Sequence, residues 1–113
     1  MIKIGVCGFG TVGQSFVNHV LAYKDKIIKN CGRDICISII ADRSIEKKKF
    51  KTESIEFTSD ILSVLDSDCD LVVELIGGID LAYDLVRGAI SKKKSVITAN
   101  KALIAEKGDD LFE

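Results

Sequence analysis

Residues 2–16, IKIGVCGFGTVGQSF, begin as an apolar run and pass directly into Gly8-Phe9-Gly10-Thr11-Val12-Gly13. Ile2, Ile4, Val6 and Cys7 suit a strand, and beyond the glycines Val12, Phe16, Val17, Val20, Leu21 and Ile28 recur at helical spacing, predicting one helix over residues 12–28. The six residues between them are a G-x-G-x-x-G set between strand and helix. By itself such a hexapeptide arises by chance, but in this position each glycine has a physical role. Gly8 makes the tight turn, Gly10 lets backbone approach a pyrophosphate, and Gly13 lets the helix lie close to the strand. The helix N-terminus offers N–H groups without intrahelical acceptors, at the positive end of the helix dipole, to the same phosphates.

The rest of the chain repeats the alternation. DICISIIAD, residues 34–42, is a second β-branched run, and the lysine-rich RSIEKKKFK that follows at 43–51 reads as an exposed connection. SDILSVLDS, 59–67, suits a short helix with Ser59 as N-cap, leading into the strand CDLVVELIGG, 69–78. Leu81, Leu85, Val86, Ala89 and Ile90 then return to helical spacing before a last strand, KSVIT, 94–98, and a final helix. Strands that are apolar throughout need cover on both faces. The order βαβ(α)βαβα therefore predicts an α/β fold with a parallel sheet between helices.

A chain of 113 residues makes one domain, large enough to bury roughly two thirds of its unfolded surface. A net charge of −1 gives no long-range attraction to nucleic acid, and the apolar runs are too short to span a bilayer. The N-terminus lacks the features of a signal peptide, so a cytoplasmic location is expected, without nucleic-acid or membrane partners. Cys7, Cys31, Cys36 and Cys69 show no C-x-x-C spacing and His19 stands far from them, so no metal site is expected; Cys7, Cys36 and Cys69 read as small buried hydrophobes.

In open parallel sheets ligands lie at the carboxyl ends of the strands. That edge should carry the glycine loop, Asp42 and Arg43, Glu74 with Gly77 and Gly78, and the turn Thr98-Ala99-Asn100-Lys101. A carboxylate at Asp42 suits the ribose hydroxyls of NAD, whereas Arg43 suits the 2′-phosphate of NADP, so the sequence leaves both cofactors open. Gly77 and Gly78 would let a flat cofactor lie against backbone. Glu74 could position a ribose or substrate, or form an exposed or lysine-paired surface. Asn100 could cap a helix with Lys101 at the surface, or Lys101 could hold a charged ligand or protonate an oxygen during hydride transfer.

GFGTVG, DLVVELIGG and SVITANKALIAEKGDDL, in this order and over nearly the whole chain, resemble the nucleotide-binding domain of homoserine dehydrogenase. The resemblance implies a Rossmann-like parallel sheet with helices on both faces and an NAD- or NADP-dependent oxidoreductase that interconverts L-aspartate 4-semialdehyde and L-homoserine, on the route to threonine, methionine and isoleucine. It further implies that Phe9, Gly10, Thr11 and Val12 face the pyrophosphate, Arg43 the adenine ribose and Thr98 the nicotinamide ribose. Lys101 would lie between nicotinamide and substrate as the catalytic residue. Residues 1–113 are then expected to be the NAD(P)-binding domain, with a substrate and catalytic domain following residue 113 in a longer enzyme that forms a homo-oligomer; the alternatives are a stand-alone NAD(P)-binding module that catalyses nothing and a Rossmann dehydrogenase acting on another substrate.

Overall fold

A computed structural model describes residues 1–45, 55–98, 100, 103 and 105. Its strands are β1 (Ile2–Cys7), β2 (Ile35–Ala41), β3 (Glu56–Thr58), β4 (Leu71–Glu74) and β5 (Ser95–Thr98). They form one sheet in the order β3-β2-β1-β4-β5, and every neighbouring pair is parallel. Helices α1 (Thr11–Ala22), α2 (Lys24–Cys31) and α3 (Asp80–Ser91), with a 3₁₀ helix at Ile61–Asp66, supply the cover.

The two faces of the sheet follow from strand alternation. Ile4 and Val6 of β1 and Val73 of β4 pack with Val17 and Val20 of α1. Cys7, Ile39, Ala41 and Val72 pack on the opposite face with Ile61 and Val64 of the 3₁₀ helix and Leu85 and Ala89 of α3. Helices thus cover both faces, as the continuous apolar strands predict. Each fully buried valine or isoleucine stabilises this arrangement by about 1.5–3 kcal/mol relative to leaving it exposed.

Between β1 and β2 the register advances by one residue: Ile4 pairs with Ile37, but Gly5 pairs with Ile39. Ser38 is the additional residue, and its hydroxyl reaches the Ile4 carbonyl at 3.4 Å. The shift explains why the α1 face takes Ile35 and Ile37 and then Ile40, with Ile39 turned to the α3 face: the alternation passes from odd to even positions at Ser38. It also brings Ala41 level with Cys7, so the residues after each strand, Asp42 and Gly8, emerge side by side.

Three sequence expectations change. The helix over 12–28 is two helices, because Tyr23 leaves helical geometry (φ −114°, ψ 20°) between α1 and α2. The apolar spacing runs across this break because Phe16, Ile27 and Ile28 all pack against one core. Ser59 does not cap the next helix. The N-cap position falls on Asp60, without a side-chain capping bond, and the helix is 3₁₀. The third change is β3, a strand of three residues along β2 that the sequence reading omits. Of the connection at 43–51, Arg43 and Ser44 are exposed and Ile45 is buried; the remainder lies outside the described residues. Among the described residues no helix is long and apolar enough to cross a membrane.

Candidate cofactor-binding site

From β1 the chain runs to β2 and β3 on one side and returns to β4 and β5 on the other, so the loops after β1 and β4 diverge around a crevice. The two loops approach closely at its base. Leu75 N–H donates to the Cys7 carbonyl at 2.8 Å. Gly8 takes φ +103°, and a Cβ there would lie 2.6 Å from the Leu75 carbonyl oxygen, so both backbone shape and space require glycine.

The other loop glycines divide by role. A Cβ on Gly13 would stand 2.0 Å from the Gly8 carbonyl oxygen, so this glycine allows α1 to start against the end of β1. Gly10 is different. It is the N-cap of α1 with φ −79°, a value open to any residue, and among the described residues a Cβ there would meet nothing within 4 Å. Gln14 N–H makes the first helical bond to the Gly10 carbonyl at 2.8 Å. No side chain caps this helix end and no acidic residue occupies its first turn, while Thr11 and Val12 are exposed beside it.

Phe9 has its ring in the core, 1% exposed, edge-on to Phe57 of β3 with centroids 6.3 Å apart. Its carbonyl accepts from Gln14 Nε2 at 2.9 Å, and its N–H donates to Asp42 Oδ2 at 2.7 Å. Asp42 is 9% exposed, and its second oxygen accepts from Ser44 N–H at 2.8 Å. The side chain read as facing the ribose thus faces the glycine loop, while Arg43 beside it is exposed.

Across the crevice Glu74 is wholly buried, which excludes the exposed surface role considered for it. Its Oε2 accepts from Ile76 N–H at 2.7 Å and its Oε1 from the Thr98 hydroxyl at 2.5 Å. Thr98 Oγ1 in turn accepts from Asn100 N–H at 3.0 Å. The Asn100 side chain accepts from Leu103 N–H at 3.0 Å, an N-cap bond, and donates to the Gly78 carbonyl at 2.5 Å. Thr98 and Asn100 therefore tie the end of β5 to Glu74 and to the loop after β4. Gly78 has φ +87°, and at neither Gly77 nor Gly78 would a Cβ meet another atom of the described residues within 4 Å. Lys101, the sequence candidate for catalysis, lies outside the described residues.

Beneath the site Cys7 is buried next to Glu74, and burial, reinforced by Cys69 and then Glu74, pushes its thiol up to about 12. The cysteines are free thiols; Cys7 and Cys69 are buried, Cys36 half-buried and Cys31 exposed. Among the described residues no cluster of histidine, cysteine and carboxylate side chains could hold a metal ion.

A five-stranded parallel sheet of this order, with a glycine loop opening a helix at its switch point, defines a Rossmann-type dinucleotide-binding domain. Residues 8–113 match the family of the homoserine dehydrogenase NAD-binding domain, and the chain belongs to that family. It is 43% identical to a homoserine dehydrogenase of Pseudomonas aeruginosa over 112 residues, covering 98% of this chain and 26% of that protein. A Methylobacillus glycogenes homoserine dehydrogenase is 42% identical over 106 residues, covering 92% of this chain and 26% of that protein. The crystal structure of a homoserine dehydrogenase from Thiobacillus denitrificans superposes with a TM-score of 0.90 at 36% identity, over 98% of this chain and 26% of that one. The chain thus spans about a quarter of the length of these relatives.

Proposed function

We propose that this chain is the cofactor-binding part of an oxidoreductase that interconverts L-aspartate 4-semialdehyde and L-homoserine, with NAD or NADP lying across the crevice between β1 and β4. The observation that carries this reading is Gly10. Neither backbone shape nor packing among the described residues requires a glycine there, yet it stands at the open N-terminus of α1, where a ligand's backbone approach would require one. The Thr11, Val12 and Gly13 N–H groups, having no acceptor within the helix, are the donors assigned to the pyrophosphate. Gly77 and Gly78 leave the β4 side open for the flat part of the cofactor.

When bound, the cofactor supplies or accepts the hydride. Thr98 is assigned to the nicotinamide ribose, and its bonds to Glu74 and Asn100 fix where its side chain stands. Lys101, next along from Asn100, is assigned to the oxygen of the reacting carbonyl, where an ammonium group stabilises developing negative charge and delivers a proton. The substrate domain, homo-oligomeric assembly, cytoplasmic location and place in threonine and methionine synthesis that the resemblance implies belong to the same reading.

Titration of the chain with NADH and NADPH, followed by nicotinamide fluorescence, tests the cofactor assignment. Binding should be present, and Gly10→Leu should remove it while leaving the melting transition in place. Unchanged binding by a folded Gly10→Leu protein would move the pyrophosphate elsewhere.

A further inference from the structure

We propose that Asp42 is a positioning residue for the glycine loop and does not contact the adenine ribose. The inference rests on the cofactor reading above and concerns how the site is built. A carboxylate at the end of the second strand of such a sheet ordinarily reads as the ribose ligand of an NAD enzyme. Here both oxygens are engaged within the protein. Oδ2 accepts from Phe9 N–H at 2.7 Å and Oδ1 from Ser44 N–H at 2.8 Å, both charge-assisted bonds of short length.

The backbone of Asp42 is held as firmly as its side chain. Its N–H donates to the Thr58 carbonyl of β3 at 3.1 Å, and its carbonyl accepts from Ile45 N–H at 3.1 Å. At the receiving end Phe9 is anchored by its buried ring and by the Gln14 side chain on its carbonyl. Turning the carboxylate toward a ribose would break the bonds to Phe9 and Ser44 and leave a buried Phe9 N–H without that acceptor, a costly exchange for one hydroxyl contact. Asp42 therefore acts through Phe9: it fixes the residue between Gly8 and Gly10 and so sets the loop that receives the pyrophosphate. Because NAD and NADP share the pyrophosphate, this residue affects both alike, and discrimination at the 2′ position falls to other side chains, of which exposed Arg43 is the next in sequence.

The experiment measures dissociation constants of the 113-residue chain for NAD, NADP and an NAD analogue lacking the adenosine 2′-hydroxyl, in wild type, Asp42→Asn and Asp42→Ala. Wild type should bind NAD and the analogue within about twofold, since a missing hydroxyl removes no bond to Asp42. Asp42→Ala should weaken NAD and NADP by the same factor, about tenfold or more, the scale of a lost charged hydrogen bond. Asp42→Asn should recover much of that loss, because an amide oxygen still accepts from Phe9 N–H.

A roughly tenfold loss for the analogue in wild type, or an Asn or Ala variant that loses NAD while keeping or gaining NADP, would overturn the positioning role and leave the cofactor reading standing. Failure of wild type to bind either dinucleotide would overturn both. If Asp42→Ala does not fold, the Asn variant and the analogue on wild type still decide.

Discussion

The Thr98 hydroxyl donates to Glu74 Oε1 across the β4–β5 pair, joining the two strand ends that flank the crevice on the side away from the glycine loop. Thr98→Val keeps the shape and removes the donor, leaving a buried carboxylate oxygen without that partner. Stability should fall by about 1.5–3 kcal/mol, read from urea denaturation. Thr98→Ser should restore most of it. Equal stability of the valine and serine variants would show that the hydroxyl contributes only volume.

The loop glycines should separate stability from binding. Gly13→Ala drives a Cβ against the Gly8 carbonyl and should cost about 3 kcal/mol or more, since backbone rather than a mobile side chain must yield. Gly10→Ala places its methyl in open space and should change stability by no more than about 1 kcal/mol, even where it weakens dinucleotide binding. Thermal melts of the two variants, each paired with an NADH titration, check the contrast. Similar melting losses for both would mean that the open space at Gly10 closes in solution.

Arg43 is exposed at the end of β2, beside a carboxylate turned inward. Arg43→Ala should weaken NADP about tenfold and NAD much less, because a guanidinium gains most from a phosphate dianion. Dissociation constants for the two cofactors decide it. An equal loss would direct attention to the lysines at 47–49.

In an enzyme carrying this domain, Lys101→Ala should reduce turnover of aspartate semialdehyde by about two orders of magnitude or more, the scale for losing a placed proton donor. Steady-state kinetics beside a melt of the same variant tests it. Retained turnover, or a loss explained by unfolding, would remove Lys101 from the chemistry.

Cys7 gives the fold an alkaline limit. Its thiol ionises ordinarily at 9.0 and, buried in the protein, at about 12. Between these values the unfolded chain has released the proton and the folded one still holds it. Stability contributed by the neutral thiol is thus whole below pH 9 and declines as pH rises toward 12, at up to about 1.4 kcal/mol per pH unit. Cys7→Ala should show a shallower decline than wild type between pH 9 and 11 in urea denaturation. Parallel curves would mean that the thiol ionises without strain.

The sheet was legible because its main strands are apolar throughout and end in glycines or small polar turns, features local to each segment. β3 was not: three residues are too few to show a period, and its existence depends on β2 lying alongside. The break at Tyr23 was hidden because both helices bury their apolar sides in one core. Asp42 and Glu74 were legible in position and not in direction. Their partners Phe9 and Thr98 lie 33 and 24 residues away, so no local pattern reveals that each carboxylate turns inward to hold a neighbouring loop. Asn100 was more accessible, since a cap acts on the residue three places on and that spacing is visible in the sequence.

The register step at Ser38 bears on how this protein tolerates changes of chain length. Deleting one residue from a strand ordinarily turns every later side chain to the wrong face. Here the pairing already passes from Ile37 to Ile39, so removing Ser38 would straighten β2 while Ile39, Ile40 and Ala41 kept their partners and faces. Asp42 would still emerge beside Gly8. A deletion at Ile40, two residues further on, has no such slack, and would bring Arg43 to the place where the carboxylate now meets Phe9.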